Sequence, residues 1–232
     1  ADRIVVVSEF TAREAEALLG VSRERMTVCS PGAPPWPARG RAPSAGYVLF
    51  FGTLEPRKNV GTLLDAYEHL AGHRRDLPRL VLAGKATDQS GPWLERLQRS
   101  PLNGLVQHIG YVDPARRREL YEGAVLLVQP SFEEGFGLPV LEAMTVGVPV
   151  AAANRGALPE VLDGAGLLFD PDSREQMAEV IARAIDDTEV AARMSAAGLA
   201  RARRYTWDET ARRTVGAYEA AIVHRSGARG IA

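Results

Sequence analysis

Short apolar runs alternate with longer amphipathic segments through most of this 232-residue chain. The runs have the length of buried strands, and the segments have the periodicity of helices that bury one face. Strands are predicted at Tyr47–Phe51, Leu80–Ala83, Val106–Ile109, Val125–Val128, Pro149–Ala152 and Leu167–Phe169. Helices are predicted at about 60–72, 91–99, 114–122, 138–146, 157–162 and 173–187. This alternation predicts an α/β fold, in which helices cover both faces of a parallel, Rossmann-like sheet and ligands bind at the carboxyl ends of its strands.

The first 33 residues have a pattern of their own. Strands are predicted at Ile4–Val7 and Met26–Cys29. The helix between them is predicted to begin at a capping box formed by Thr11 and Glu14. This segment is either the remainder of a preceding domain or an ordinary first βαβ unit of the main domain.

Two further segments flank the main pattern. Residues 34–46 are rich in Pro, Gly, Arg and Ser, which predicts a linker. Residues 173–204 predict two amphipathic helices, and Thr206 to Glu209 caps a last helix that extends to about His224. We expect part of the apolar face of that last helix to be exposed or covered by a second copy of the chain.

The strongest candidate site is the glycine turn at Gly135 and Gly137, between a predicted strand and a helix that has Pro139 at its first position. Glycines let the backbone approach a ligand closely, and a helix start offers free N–H groups and a partial positive charge. This order of elements therefore predicts an anion site, in particular a phosphate site.

Two carboxylates, Glu134 and Glu142, frame this turn with seven residues between them. A carboxylate accepts hydrogen bonds from two neighbouring hydroxyls, so the pair could hold two sugar rings on either side of a diphosphate. The alternative is that Glu142 is a solvated helix residue. Its neighbours in the segment 140–144 are apolar, so a charge at this position should have a partner.

A basic pair, Arg57 and Lys58, follows the first strand of the main domain and its Gly52. A planar guanidinium beside a compact ammonium suits a diphosphate, although a solvated pair in a loop is the common alternative. We expect Arg116 to Arg118 to lie on a solvated helix face, and we expect Glu160 to have a structural role.

Composition excludes several other classes of protein. Charged residues make up 25% of the chain and the net charge is −1, so nothing favours a nucleic-acid partner. The single Cys29 forms no internal disulfide and fits a reducing compartment, so we expect a cytoplasmic protein. The histidines lack metal-ligand spacing, so we expect no metal and no cofactor.

No apolar run approaches the ~20 residues that a transmembrane helix needs, so we expect any association of this chain with a membrane to be peripheral. The chain begins with Ala rather than Met, and we expect it to be a piece of a longer protein. A nicotinamide-type Gly-x-Gly-x-x-Gly is absent, and Gly84 to Ala86 lacks the pattern of a nucleoside-triphosphate loop.

Two motifs together resemble a known family. The segment Glu134–Met144, EGFGLPVLEAM, followed by GVPV at 147–150, resembles the donor-site signature of retaining GT-B glycosyltransferases. The segment Phe51–Val60, FGTLEPRKNV, resembles the phosphate-binding segment of the same large nucleotide-sugar family, which contains many bacterial mannosyl- and glucosyltransferases. The resemblance extends from about Val7 to about Ala221.

The resemblance implies a donor-binding half of a hexosyltransferase. Such an enzyme moves a hexose from a nucleoside-diphosphate sugar, with retention, to a glycan, lipid or small-molecule acceptor, and the motif subgroup favours GDP-mannose. Residues 1–33 would then end a missing N-terminal acceptor domain, 34–46 would be the linker, 47–205 the donor domain and 206–232 a crossover helix. This isolated piece would bind donor but barely turn over.

The resemblance also implies roles for particular residues. Arg57 and Lys58 would hold the diphosphate, Glu134 the hydroxyls of the donor sugar and Glu142 the ribose, so Arg57, Lys58 and Glu134 are the predicted catalytic residues. The backbone near Val112 would contact the edge of the nucleobase. The other predicted donor-binding residues are Gly52, Gly135, Phe136, Gly137 and Leu138.

Three other functions stay open on the sequence alone. A sugar-nucleotide epimerase of the same architecture would form product without an acceptor. A phosphorylase would need a pyridoxal-phosphate lysine, for which this sequence offers no context. A non-catalytic sugar-nucleotide-binding module would come from a gene that encodes no acceptor domain.

Overall fold

The computed structural model describes residues 2–229. Its N-terminal unit consists of β1 (Ile4–Val6), α1 (Glu9–Leu19) and β2 (Met26–Val28), and the two strands pair in parallel with each other. Val6, Ala12 and Met26 form a small apolar core of this unit. The pair is a two-stranded sheet of its own, so β1 and β2 are not part of the main sheet.

Helix α1 begins earlier than the sequence predicts. Its N-cap is Ser8, whose side-chain oxygen accepts a hydrogen bond from the Thr11 N–H, so the predicted capping box of Thr11 and Glu14 is wrong. Ser8 has the extended backbone that an N-cap requires, and it lies one turn before the predicted position.

The main domain is one parallel sheet of six strands. The strands are β3 (Tyr47–Phe51), β4 (Leu80–Ala83), β5 (Val106–Gly110), β6 (Ala124–Gln129), β7 (Val150–Ala153) and β8 (Leu167–Phe169). Their spatial order is β5-β4-β3-β6-β7-β8. From β3, the strands β4 and β5 extend the sheet toward one edge, and β6, β7 and β8 extend it toward the other edge. The strands β3 and β6 are therefore neighbours at the point where the strand order reverses.

Helices connect the strands and cover both faces of the sheet, as predicted. They are α2 (Val60–His73), α3 (Gly91–Arg96), α4 (Arg117–Glu122), α5 (Leu138–Val146), α6 (Leu158–Leu162), α7 (Arg174–Asp186) and α8 (Thr188–Ala202). The predicted helix at 114–122 is divided, because Asp113 caps a short 3-10 turn, Pro114–Arg116, before α4 begins. In one helix layer α2 packs against α7, and in the other α5 packs against α4 and α8.

Helix α9 (Trp207–Arg229) returns to the N-terminal unit and packs against β1 and β2. The Thr206 hydroxyl oxygen caps it by accepting from the Glu209 N–H, and the Thr210 hydroxyl donates to the Ser30 carbonyl at 2.6 Å. Large apolar side chains remain exposed along it, including Val215 and Tyr218, which agrees with the expected exposed face. Of the helices in residues 2–229, none is long and apolar enough to cross a membrane.

Candidate functional site

The loops that follow β3 and β6 meet at the carboxyl edge of the sheet. The Asn59 side chain donates to the carbonyls of Pro130, at 3.2 Å, and of Pro171, at 2.8 Å. The Phe132 N–H donates to the Arg57 carbonyl at 2.8 Å. The bonds that involve Pro130 and Phe132 join the two loops at the reversal point of the strand order, where α/β sheets form their ligand crevices.

Lys58 and Glu134 form a buried ion pair in this place. Their exposed fractions are 7% and 8%, and the Lys58 Nζ lies 2.5 Å from Oε1 of Glu134. The same oxygen accepts hydrogen bonds from the Gln129 amide and the Ser131 hydroxyl, each at 2.9 Å. Oε1 is thereby saturated with donors, which leaves Oε2 as the oxygen of Glu134 that can accept from a ligand.

Gln129 and Ser131 belong to this buried cluster, and the sequence analysis missed both of them. Both are fully buried at the end of β6, and the Gln129 amide also donates to the Ser131 hydroxyl at 2.9 Å. Ser131 stands three residues before Glu134, a spacing that favours a local hydrogen bond and could have signalled this contact.

Arg57 is the exposed member of the predicted basic pair. Its guanidinium lies 2.5 Å from the Glu55 carboxylate and 3.9 Å from Oε2 of Glu134, and it donates to the Glu133 carbonyl at 3.3 Å. The alternative of a solvated pair therefore fails for Lys58, which is buried. Nearly half of the Arg57 side chain is exposed, so its guanidinium is accessible to an anion beside the Oε2 atom.

The glycine turn leaves several backbone N–H groups without a protein acceptor in the described part of the chain. Gly137 is the N-cap of α5 with a φ of 102°, and a Cβ there would lie 2.8 Å from the Leu158 side chain, so this position favours glycine. Helix α5 begins at Leu138, so Pro139 is its second residue and not its first as predicted. Within residues 2–229, the backbone N–H groups of Gly135 to Leu138 donate to no protein acceptor.

Glu142 is buried, as the apolar character of its helix predicts, and it has two partners on α4. The Arg117 guanidinium lies 2.8 Å from both carboxylate oxygens, and the Tyr121 hydroxyl donates to one of them at 2.7 Å. The expectation of a solvated face at Arg116 to Arg118 is therefore wrong for Arg117. Burial raises the pKa of the Glu142 carboxyl, and the bonds from Tyr121 and Arg117 oppose that shift.

Phe51 connects the Glu142 cluster to the Lys58 pair. The Arg117 guanidinium lies over the Phe51 ring, 4.9 Å from its centroid. The centroid of the Tyr121 ring lies 5.7 Å from the centroid of the Phe51 ring. Phe51 ends β3, and at the next residue, Gly52, a Cβ would lie 3.6 Å from the Lys58 side chain. Glu134 and Glu142 are thus both close to the carboxyl end of β3.

Val112 follows β5 and lines a separate cavity of about 500 Å³. Ile109, Tyr111 and Arg116 line it as well. A cavity of this size accommodates part of a small ligand. That Val112 belongs to one continuous site with Glu134 and Glu142 stays a prediction.

Among residues 2–229, no group of three or more His, Cys, Asp or Glu side chains is placed to hold a metal ion. Arg57 and Lys58 place two cations beside Glu134.

Residues 38–201 match the family model described as glycosyl transferases group 1, and the chain belongs to this family. O-antigen chain mannosyltransferase B of Escherichia coli is 38% identical over 174 residues, which cover 75% of this chain and 46% of that protein. D-inositol 3-phosphate glycosyltransferase of Thermobispora bispora is 34% identical over 250 residues, covering 97% of this chain and 58% of that protein. The chain thus spans about half the length of these relatives.

Solved structures agree in fold. Sucrose-phosphate synthase of Thermosynechococcus elongatus has a TM-score of 0.82 at 23% identity, covering 97% of this chain and 59% of that chain. The C-terminal domain of a glycosyl transferase group 1 protein from Francisella tularensis has a TM-score of 0.64 at 24% identity, covering 73% of this chain and 94% of that domain. The predicted fold class, a Rossmann-like half of a GT-B glycosyltransferase, is confirmed.

Proposed function

We propose that this chain is the donor-binding half of a retaining hexosyltransferase that uses a nucleoside-diphosphate sugar. One observation carries the proposal: the buried pair of Lys58 and Glu134 lies beside the glycine turn, at the reversal point of the strand order. A nucleoside-diphosphate sugar combines an anionic centre with hydroxylated rings on either side. Cations, free N–H groups and carboxylates at one edge of the sheet match that combination.

The diphosphate is proposed to bind between the basic pair and the start of α5. Arg57 offers a planar fork, Lys58 offers the ammonium donors that Glu134 does not use, and Gly135 to Leu138 offer free N–H groups. During transfer the bond from the anomeric carbon to the diphosphate breaks, and negative charge grows on the leaving group. Fixed positive groups stabilise that charge more in the transition state than in the ground state.

The two carboxylates are proposed to bind the rings. Oε2 of Glu134 would accept from hydroxyls of the donor sugar, because Oε1 is already saturated by protein donors. Glu142 would accept from the ribose hydroxyls with the lone pairs that Arg117 and Tyr121 leave free. The backbone at Val112 would contact the nucleobase.

GDP-mannose is the proposed donor. The motif at 51–60 favours it, and one relative is named as a mannosyltransferase. The named inositol phosphate glycosyltransferases indicate that related chains use other acceptors.

We also propose that residues 1–33 end an acceptor domain, that 34–46 link it to a donor domain at 47–205, and that 206–232 cross back, although 230–232 lie outside the described residues. In this arrangement the isolated chain binds donor in the cytoplasm but transfers little, and any membrane contact is peripheral.

Calorimetric titration with GDP, UDP and ADP tests this function. We expect one of the three, GDP if the donor is GDP-mannose, to bind with a Kd on the order of micromolar, about −8 kcal/mol. Because the proposed site neutralises the diphosphate with side chains and N–H groups, EDTA is expected to change that Kd less than about two-fold, and added Mg²⁺ should not tighten it. The absence of binding by all three nucleotides, or binding that EDTA abolishes, would contradict the proposal.

A further inference from the structure

Helix α1 of the N-terminal unit contacts the glycine turn of the main domain directly. The hydroxyls of Ser8 and Thr11 lie 2.6 Å and 3.0 Å from the carbonyl oxygen of Gly135. The two hydroxyls are 2.9 Å apart. Because each carries one proton, Ser8 donates either to Gly135 or to Thr11, while Thr11 donates to Gly135 in both arrangements.

A second contact holds the same end of α1. The Glu160 carboxylate accepts hydrogen bonds from the N–H groups of Glu9, at 2.9 Å, and Phe10, at 3.0 Å. Glu160 thus caps α1, which agrees with its expected structural role. A carboxylate at a helix start is doubly favoured, because it satisfies free N–H groups and complements the helix dipole.

The segment that carries Glu160 also supports the glycine turn. The Ala157 N–H donates to the Glu134 carbonyl at 2.9 Å. Gly156, with a φ of 61°, packs so closely that a Cβ there would lie 2.8 Å from the same carbonyl oxygen. The residues 134–137, the segment 156–160 and the start of α1 therefore form one contiguous set of contacts.

These contacts fix the direction of one N–H group. The Gly135 carbonyl and the Phe136 N–H belong to the same planar trans peptide, so they point in opposite directions. Hydroxyls that hold the carbonyl against α1 keep the Phe136 N–H pointing away from α1, with no acceptor among residues 2–229. Without these hydroxyls a glycine peptide can rotate, since glycine has access to most backbone conformations.

We propose that Ser8 and Thr11 are positioning residues for the donor diphosphate, which they serve by orienting the peptide between Gly135 and Phe136. The inference rests on the proposed function, because it assumes that the Phe136 N–H donates to the diphosphate. The N-terminal unit then belongs functionally to the donor site, and Glu160 holds that unit in register with the turn.

The test compares affinities of the whole chain for a nucleoside diphosphate and its monophosphate. The nucleotide is the one among GDP, UDP and ADP that the wild-type chain binds. The Kd of the monophosphate divided by the Kd of the diphosphate gives a ratio that reports the gain in affinity from the second phosphate. Thr11→Val is expected to reduce that ratio about five-fold, a loss typical of one hydrogen bond. Thr11→Ser keeps the hydroxyl and is expected to keep the ratio within about two-fold.

Two further variants separate positioning from folding. Ser8→Ala combined with Thr11→Val should reduce the ratio at least as much as Thr11→Val alone, but it also removes the N-cap of α1. Thr11→Val leaves that cap in place, so it carries the test if the double variant unfolds. Thr214→Val is the matched control, because the Thr214 hydroxyl bonds a backbone carbonyl within α9.

The outcomes distinguish this inference from the proposed function. A ratio that falls in Thr11→Val, but not in Thr11→Ser or Thr214→Val, supports positioning. An unchanged ratio in Thr11→Val, or equal losses in Thr11→Ser, overturns the positioning role alone. A wild-type chain that binds none of the nucleotides overturns the proposed function and this inference with it.

Discussion

Replacing Lys58 with Met is expected to weaken nucleoside-diphosphate binding about 100-fold and to destabilise the fold. A charged hydrogen bond to a phosphate contributes more than a neutral one, and its loss accounts for the affinity. The variant also leaves the Glu134 carboxylate buried without its counterion, 2.5 Å from where the ammonium was. Breaking a buried ion pair in this way costs about 3–5 kcal/mol in the free energy of unfolding.

A second variant separates the two effects. Lys58→Met combined with Glu134→Leu removes both charges, so we expect the free energy of unfolding in urea to recover most of the loss. Nucleotide affinity should not recover, because the cation is still missing. Arg193→Met is the control, since the ion pair of Arg193 with Glu189 is exposed and its loss should cost less than about 1 kcal/mol. Wild-type affinity in Lys58→Met would remove this residue from the site.

Replacing Glu142 with Ala is expected to reduce nucleotide affinity by about 2 kcal/mol, close to 30-fold, because the ribose hydroxyls lose a charged acceptor. The measurement compares the nucleoside diphosphate with its 2′,3′-dideoxy analogue by calorimetry. The wild-type chain should prefer the ribose form, and Glu142→Ala should bind both forms alike. Tyr121→Phe keeps the carboxylate, so it serves as the control that should retain the preference.

The pH should change the preference of the chain for the ribose nucleotide over its dideoxy analogue. Only the ionised carboxylate accepts from both ribose hydroxyls, and burial raises the pKa of Glu142. The preference for ribose is therefore expected to fall as the pH decreases through that raised pKa. The free energy of unfolding depends on pH in the opposite direction. The stabilisation that comes from the raised pKa of Glu142 is present below the pKa of this group in the unfolded chain, and it is lost as the pH rises through the pKa in the folded chain. A preference that persists in Glu142→Ala would show that another residue binds the ribose.

Local patterns were sufficient to predict where the candidate site lies. Apolar runs predicted all six strands of the main sheet, and parallel strands place their carboxyl ends at one edge. Lys58 and Glu134 were therefore expected near each other although 75 residues separate them in the chain. Which atoms meet was not predictable, because the sequence gives no sign that the ammonium binds Oε1 and leaves Oε2 free.

Contacts between distant elements account for most errors. The sequence predicted that Glu142 needs a partner, but Arg117 lies 25 residues away in a run of three arginines whose directions depend on how α4 packs on α5. Helix α1 was placed one turn late because Thr11 with Glu14 has the local signature of a cap. Ser8 takes that position instead, where α1 also meets Gly135 and Glu160.

Hydrogen–deuterium exchange of the backbone tests the central claim most directly, with and without the bound nucleoside diphosphate and with EDTA present throughout. If the crevice between the loops after β3 and β6 takes up the diphosphate without metal, residues 52–59 and 134–142 should exchange more slowly with the nucleotide. The N–H groups from Gly135 to Leu138, which have no acceptor among residues 2–229, should show the largest change. Slower exchange confined to other segments, such as 39–46, would contradict the account.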